Sequence, residues 1–446
     1  MIQYPLFNEN KIQHSEVGTN NTRTEAGFLK CVSLFSSAGI GELGVRASKI
    51  EVVTANELVP YRVEAYKDNY GDATVIEGSI DENVTKIIQK TKAKLGKEEL
   101  FLVYATPPCQ GMSTNGMGKL KSEVESGRRI KEDPRNRLII PTIKIIKELK
   151  PEWILLENVP GMMNTAITDE KGMFVNILDY IKTSIGNEYE GTAEVIACHD
   201  YGIPQQRKRL ITIFTRNENG KSYFRKNKHS FFSPDMKEPI KTLRDAISNL
   251  PELEASIGKN ERTDFHPYHY VPIMNPKKLW WMNHTKEGTT AFNNQCIEPK
   301  CQFDGNPGHK DIKIDGKWVS CKKIPIYCSN CGSLLPRPTV TDKSTGELRL
   351  LKGFHSAYRR MLWDQPARTL TQNFIYEASD NKVHPTQTRV LSVYEAMILQ
   401  TIDRYDYKFT ASGRKLSTAK IAEIIGESVP PYLIEKICDM MANVSK

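Results

Sequence analysis

The chain has 446 residues, which is too long for one ordinary hydrophobic core and predicts a large domain with a smaller accessory domain. Hydrophobic residues make up 39% and charged residues 26%, which excludes a disordered or fibrous protein; no apolar run could cross a bilayer and no signal peptide opens the chain, so a cytoplasmic protein is expected. The net charge is +9, with ten Lys/Arg against three Asp/Glu in residues 205–241, an excess that suits a polyanion, although charge alone favours a solvated basic surface.

Short apolar runs alternate with amphipathic stretches through the first half of the chain. The runs cover residues 31–36, 51–57, 74–78, 100–105, 152–158 and 209–215. This alternation predicts βαβ units and a doubly wound α/β sheet of the Rossmann-like kind, with functional residues at the carboxyl ends of its strands.

After residue 246 the pattern changes to turn-rich segments containing Trp, His and Cys, and helical patterns return at residues 389–402 and 417–441. We therefore predict a catalytic domain formed by residues 28–246 and 354–446. A smaller inserted domain is predicted over residues 247–353.

The first predicted strand ends in FSSAGIGELG, residues 35–44. Small residues in a strand-to-helix turn let a cofactor approach the backbone, although such turns also serve packing alone. The second strand ends in Glu57, where a carboxylate in nucleotide-type sites holds ribose hydroxyls; a solvated Glu is the alternative.

The fourth strand runs into ATPPCQGMS, residues 105–113, where two prolines precede Cys109. A cysteine on a stiff loop at a strand end is a candidate nucleophile, although lone cysteines are more often small buried hydrophobes. The next strand brings Glu157 to the same sheet edge, where a carboxyl beside a cysteine suits acid or base chemistry. Alternation along the following strand predicts Gln205, Arg207 and Arg209 on one face.

The ordered blocks FSSAGIG, PPCQ, ENVPGM, QQRKR, ARTLT and GESVPP resemble those of the DNA (cytosine-5)-methyltransferases of bacterial restriction–modification systems. The resemblance implies a methyltransferase fold, S-adenosylmethionine as the methyl donor, and a cytosine flipped out of the duplex. Cys109 would add to cytosine C6, Glu157 would assist at N3 and the exocyclic amine, and Arg209, with Arg207 and Gln205, would contact the base or orient Glu157. Residues 111–137 would form a mobile loop that closes over the site.

The resemblance also implies a set of residues that contact the methyl donor. These are Phe35, Ser37, Ala38, Gly39, Ile40, Glu57, Leu58, Ser79, Ile80, Pro107, Leu138, Ser428 and Val429. Three positions depart from the family pattern: Ser37 replaces a usual glycine, Ser79 replaces a common acidic residue, and Glu427 replaces a frequent Asn. The Ser79 change weakens the expectation of adenine recognition there.

Four cysteines of the predicted insert form two close pairs. Cys296 and Cys301 give C-x4-C, and Cys328 and Cys331 give C-x2-C. Two such pairs are what a tetrahedral structural zinc site needs, with free surface cysteines as the alternative and with Cys321 and His309 as spare ligands.

The insert corresponds in position to the target-recognition region of the resembled family. Candidates for contacts with DNA are Lys277, Lys278, Trp280, Trp281, Arg359 and Arg360. Each of them could instead be a core aromatic or a solvated cation.

These patterns predict a monomeric, cytoplasmic, bacterial enzyme that methylates C5 of cytosine in a short sequence of double-stranded DNA and is paired with a restriction endonuclease. Two alternatives remain. The tRNA-methylating branch of the family usually lacks paired cysteines in a small target domain, and a catalytically inactive DNA-binding relative does not explain Cys109, Glu157 and Arg209.

Overall fold

The computed structural model describes residues 28–71, 74–108, 133–314, 317–320, 324–351, 356–379 and 381–446, with only the backbone described for 311–314 and 317–320. In these ranges no helix combines the length and the apolar character needed to cross a membrane.

The strands of the described chain are short, and most belong to one sheet or to small hairpins. They are β1 (Leu29–Leu34), β2 (Ile50–Glu57), β3 (Val75–Glu77), β4 (Leu102–Ala105), β5 (Trp153–Asn158), β6 (Ala166–Thr168), β7 (Phe174–Asn176), β8 (Glu190–Ala197), β9 (Gln205–Gln206), β10 (Lys208–Thr215), β11 (Asp311–Ile314), β12 (Lys317–Ser320), β13 (Thr339–Thr341), β14 (Leu348–Leu350), β15 (Ala367–Arg368), β16 (Thr410–Ala411) and β17 (Arg414–Lys415).

The α-helices are α1 (Ile40–Ala47), α2 (Pro60–Tyr70), α3 (Ile80–Leu95), α4 (Ile139–Leu149), α5 (Ile177–Ile185), α6 (Glu218–Lys226), α7 (Leu243–Ile247), α8 (Pro276–Asn283), α9 (Val393–Leu399), α10 (Thr418–Glu427) and α11 (Pro431–Val444). Single 3₁₀ turns lie at Pro134–Leu138, Pro160–Asn164, Cys198–Tyr201, Pro234–Met236, Ala291–Asn293 and Ile402–Arg404.

The central sheet has seven strands in the order β3-β2-β1-β4-β5-β10-β8. Strands β1 to β5 are parallel, and β10 runs antiparallel to both of its neighbours. The six strands predicted from the sequence are all present, and the predicted α/β class is confirmed. The edge strand β8 was not predicted, because most of its residues are only partly buried and give no clear apolar alternation.

Helices cover both faces of the sheet, which explains why β5 is buried along its whole length. Successive side chains of a strand point to opposite faces. Trp153 and Leu155 therefore pack on one face with α11 residues such as Ile434, whereas Ile154 and Leu156 pack on the other with α4 residues such as Ile143.

A separate core gathers residues between Leu253 and Val390, including Trp281, Phe292 and Tyr358. The predicted insert, 247–353, supplies most of this core, and residues 357–390 complete it. The predicted 389–402 helix is shorter, because a Ser392/Glu395 capping box starts α9. The predicted 417–441 helix is divided at Pro430 into α10 and α11.

Candidate active site

The turn between β1 and α1 has an unusual backbone. Phe35, Ser37 and Gly39 have φ values of 60°, 48° and 84°, a left-handed region that side-chain-bearing residues rarely adopt. The Ser37 amide donates to Glu57 Oε2 and the Val59 amide donates to Glu57 Oε1, both at 2.8 Å. Glu57 therefore fixes this turn as well as standing at the end of β2, and Ser37 takes the conformation for which glycine is usual.

Several groups around this turn remain available to a ligand. The Ser37 hydroxyl oxygen is buried and has no hydrogen-bond partner in the described structure. Next to Glu57, the Leu58 side chain is 63% exposed, an apolar surface that suits a flat ring. Burial raises the pKa of Glu57, although amide donors oppose this effect. An unpaired hydroxyl, a carboxylate and an exposed apolar side chain fit a nucleoside.

The other predicted contacts of the methyl donor in this region lie at the starts of α1 and α3. Ala38 and Ile40 are buried in the adjoining core, and the Ala38 carbonyl accepts from Tyr407. Ser79 precedes α3 and Ile80 begins it, at a corner fixed by the Asn56 amide, which donates to the Ile76 and Gly78 carbonyls.

Two polar side chains that sequence reasoning missed tie the strand ends together. Asn158 Nδ2 donates to the Pro107 carbonyl at 3.1 Å, and Thr106 Oγ1 donates to the Phe35 carbonyl at 3.0 Å. The exits of β1, β4 and β5 are thereby joined. Asn158 lies in the ENVPGM block, and its place directly after Glu157 was the available signal. Cys109 and the loop residues up to 132 lie outside the described residues.

Glu157 and Arg209 form a close ion pair at this edge. Arg209 Nε lies 2.6 Å from Glu157 Oε1, and the two side chains are only 13% and 9% exposed. Arg209 Nη1 also donates to the Lys208 carbonyl. A charge-assisted bond from a guanidinium fixes the orientation of the carboxyl group. The pair presents an oriented carboxyl group beside the loop that leads to Cys109.

Arg207 does not share this arrangement, and the prediction that both guanidiniums occupy one face is wrong. Arg207 is fully buried and donates to the carbonyls of Leu370, Gly426 and Ser428. The physical reason is that β9 ends before Arg207 and β10 begins after it, so simple strand alternation does not apply. Arg207 binds segments that return from the end of the chain.

Gln205 is part of the same buried network. Its Nε2 donates to the Leu399 carbonyl, and its Oε1 accepts from the Leu370 amide. Gln400 in turn donates to the carbonyl and hydroxyl of Ser428. These contacts hold residues 428–429 against the part of the chain that forms the central sheet.

The last predicted contacts of the methyl donor come from distant parts of the chain. Val429 packs in the core on one face of the sheet, whereas Phe35 and Leu138 pack against the core on the other. Glu427, which departs from the family pattern, forms an ion pair with Arg62 at 2.7 Å.

The four predicted metal ligands, Cys296, Cys301, Cys328 and Cys331, come together. Their sulfur atoms lie within 4.8 Å of one another, and two of the separations are 3.6 and 3.9 Å. Zinc–sulfur bonds of about 2.3 Å in a tetrahedron place sulfur atoms about 3.8 Å apart. The described cluster therefore has the size of a Cys₄ zinc site.

Of the spare ligands, His309 stacks on Phe292 and is not part of the cysteine cluster; Cys321 lies outside the described residues. Two of the candidates for DNA contacts are buried: Trp281 is a core aromatic, which is the alternative that the sequence left open, and Arg360 is an interior cation. Trp281 is in the separate core formed between Leu253 and Val390. Arg360 is 3% exposed and donates to interior carbonyls such as those of Thr285 and Met282. Lys278 pairs with Glu377.

The chain matches the model of the C-5 cytosine-specific DNA methylase family over residues 29–443. It is 30% identical over 422 residues to the type II methyltransferase M1.HgaI of Avibacterium volantium, covering 92% of this chain and 98% of the relative. It is 25% identical over 451 residues to the type II methyltransferase M.AgeI of Thalassovita gelatinovora, covering 91% and 97%.

Solved structures support the fold. A protein described as a DNA modification methyltransferase encoded within an E. coli prophage superposes with a TM-score of 0.53 at 19% identity, over 93% of this chain and 99% of that one. The S. pombe Dnmt2 methyltransferase superposes with a TM-score of 0.50 at 13% identity, over 93% and 98%. With the family match over nearly the whole chain, the prediction from the sequence blocks is confirmed: this chain belongs to the C-5 cytosine-specific DNA methylase family.

Proposed function

We propose that this enzyme transfers a methyl group from S-adenosylmethionine to C5 of a cytosine in a short sequence of double-stranded DNA. We further propose that it acts as a monomer in the bacterial cytoplasm and protects DNA from a cognate restriction endonuclease. The observation that carries the proposal is the Glu157–Arg209 pair, oriented beside the Pro107–Asn158 contact at the sheet edge. The type II relatives support the pairing with an endonuclease.

The reaction requires cytosine C5 to become electron-rich, because an aromatic pyrimidine carbon is a poor nucleophile. The Cys109 thiolate adds to C6, while Glu157 gives a proton to N3 and binds the exocyclic amine, so that electron density moves to C5. Arg209 holds the Glu157 carboxyl in position. When bound, S-adenosylmethionine supplies an electrophilic methyl group on a sulfonium sulfur. Loss of the C5 proton to solvent, return of the N3 proton to Glu157 and elimination of the Cys109 thiolate restore the ring with its new methyl group.

The groups at the β1–α1 turn fit S-adenosylmethionine. Glu57 would accept hydrogen bonds from ribose hydroxyls, the unpartnered Ser37 hydroxyl would bond a polar group, and exposed Leu58 would contact the adenine face. The backbone of residues 35–39 would approach the amino-acid portion, with Ser79, Ile80, Pro107, Leu138, Ser428 and Val429 forming the remaining wall.

The decisive experiment incubates the protein with labelled S-adenosylmethionine and either unmethylated duplex DNA or tRNA, followed by bisulfite sequencing. We expect 5-methylcytosine at one short DNA motif and no product with Cys109→Ala. Label on tRNA alone would refute the substrate, and full activity of Cys109→Ala would refute the mechanism. A Cys31→Ala variant is the matched control, because Cys31 is a buried core thiol.

We also propose that Cys296, Cys301, Cys328 and Cys331 bind a structural zinc ion. The sulfur separations support this, as do the amide donors around the cluster: Asn330 Nδ2 lies 3.2 Å from Cys301 Sγ and Asn306 Nδ2 lies 3.6 Å from Cys328 Sγ. Such bonds orient thiolate ligands. Elemental analysis should give one zinc per chain, reduced in Cys328→Ser; purified protein without stoichiometric zinc would refute the proposal.

A further inference from the structure

Beneath the β1–α1 turn lies a carboxylate that the reaction described above does not use. Glu42, in the first turn of α1, is 1% exposed. Its Oε1 accepts a hydrogen bond from the Ser33 hydroxyl, and the Ser36 hydroxyl donates to the Ser33 hydroxyl at 3.0 Å. Among the described residues, no Lys, Arg or His forms an ion pair with Glu42. A buried carboxylate without a cationic partner is destabilising, so its presence calls for a functional explanation.

The hydrogen-bonded chain from Glu42 ends in the turn itself. The Ser36 amide donates to the Asn56 carbonyl, and the Ser36 carbonyl accepts from the Gly39 amide at 2.9 Å. Ser36 therefore connects Glu42 to the backbone that contains Ser37 and Gly39. Glu57 holds the same turn from the other side through the Ser37 amide.

We propose that Glu42 is a positioning residue for the methyl donor: its ionised carboxylate holds the 36–39 turn through Ser33 and Ser36 and supplies a buried negative charge that favours the cationic donor over its neutral product. The inference rests on the proposed use of S-adenosylmethionine. The donor carries a sulfonium charge that the product, S-adenosylhomocysteine, has lost. A buried anion near the site therefore distinguishes the two ligands by charge, whereas hydrogen bonds to the shared adenosine do not.

Two carboxyl groups, Glu42 and Glu57, lie among buried tyrosines at this turn, and burial raises the pKa of both. Burial raises the pKa of Glu42 to about 7, with the Ser33 hydrogen bond opposing the rise. Its neighbours are Cys31 on β1, Glu57 on β2, Tyr66 and Tyr70 on α2, Tyr104 on β4, Tyr407 ahead of β16, and Arg46 on its own helix. Burial raises the pKa of the four tyrosines and of Cys31 well above their ordinary values, so these groups stay neutral.

The direction of the pH effect follows from the charge. Protonation of Glu42 removes the negative charge, so affinity for the cationic donor should fall as the pH decreases from 8 to 6, while affinity for the neutral product changes little. Unit charges roughly 10 Å apart at an effective dielectric constant of about 20 change a binding constant about tenfold. That factor is the effect expected from complete loss of the charge.

The test is calorimetric binding of S-adenosylmethionine and of S-adenosylhomocysteine to the full chain at pH 6, 7 and 8. Glu42→Gln keeps the hydrogen-bond acceptor and removes the charge. At pH 8 it should weaken donor binding about tenfold and product binding less than twofold, and it should abolish the pH dependence of the ratio. Glu148→Gln is the matched control, because Glu148 is exposed and pairs only loosely with Lys92.

A second variant keeps the proposal testable if the Glu42→Gln protein does not fold. Ser33→Ala removes the donor to the carboxylate and should shift the pH dependence of donor binding to higher pH, because an unbonded carboxylate is harder to ionise. Equal weakening of donor and product in Glu42→Gln, or an unchanged pH profile in both variants, would overturn the role of Glu42 alone. Absence of donor binding by the unmodified chain would overturn the proposed function itself.

Discussion

Replacing Glu42 by Gln should make the protein more stable at alkaline pH. Glu42 has its pKa raised by burial to about 7, against an ordinary value of 4.5. Between these two pH values the folded state holds a proton that the unfolded state has released, so the free energy of unfolding falls as the pH rises. The difference between the two pKa values, at about 1.4 kcal/mol for each pH unit, corresponds to a loss of about 3 kcal/mol in the free energy of unfolding by pH 8.

The Gln side chain has a similar shape and no charge to bury, so the variant escapes this loss. The free energies of unfolding of the two proteins should therefore be close at pH 5. At pH 8 the free energy of unfolding of the variant should exceed that of the unmodified chain by about 3 kcal/mol. Urea titrations followed by the emission of Trp153, which is fully buried in the catalytic core, measure the difference once the other four Trp residues are replaced by Phe in both chains.

Two results bear directly on this reasoning. A difference in stability that does not vary with pH would refute the raised pKa of buried Glu42. Glu148→Gln, at an exposed position on α4, should show no such pH dependence, because an exposed and loosely paired carboxylate contributes little. Higher stability together with weaker donor binding would identify Glu42 as a residue kept for function.

Four further predictions address the rest of the molecule. Glu157→Gln should lower kcat by about 100- to 10,000-fold while the Kd for S-adenosylmethionine stays unchanged in calorimetry, because a positioned proton donor contributes about that much. Arg207→Met should lower the free energy of unfolding by at least about 3 kcal/mol in urea, because several buried carbonyls lose their donor; stability equal to the unmodified chain would contradict its structural role. Asn158→Ala should reduce kcat more than donor binding, measured by single-turnover kinetics, because the contact with Pro107 orients the loop before Cys109. A chelator that removes the proposed zinc ion should abolish DNA binding in a gel-shift assay while binding of the methyl donor persists, since the cysteine cluster is separate from the cores that pack on the central sheet.

The sequence predicted most of the central sheet because its strands are buried on both faces. β5, for example, is a continuous apolar run broken only by the residues that reach the sheet edge. β8 was missed because it is an edge strand, and most of its residues are only partly buried. Its Glu190 and Glu194 instead bind Arg225 and Ser230, and such contacts depend on residues about 35 positions away.

The candidate site was predictable where function depends on the end of a single strand. Glu57 and Glu157 end strands that the pattern identifies, and the close spacing of Cys328 and Cys331 is typical of a metal-binding turn. The burial of Trp281 and Arg360 could not be predicted, because the residue type does not tell whether distant carbonyls or side chains will enclose a side chain. Arg360, for instance, binds carbonyls about 25 to 80 positions away in the sequence.

The QQRKR segment shows how one short motif can serve two physical purposes. Its last arginine, Arg209, orients the carboxyl group of Glu157, whereas Arg207 binds the carbonyls of Leu370 and Ser428, which lie more than 160 positions further along the chain. The separate core between Leu253 and Val390 interrupts the part of the chain that forms the central sheet and its covering helices. The two halves must therefore be joined by contacts between residues more than 160 positions apart. Fully buried, charge-assisted bonds to backbone carbonyls meet this need because they tolerate changes in the side chains of the returning segments. The same contacts fix Ser428, one of the proposed contacts of the methyl donor, so the closure of the fold and the proposed donor site depend on the same arginine.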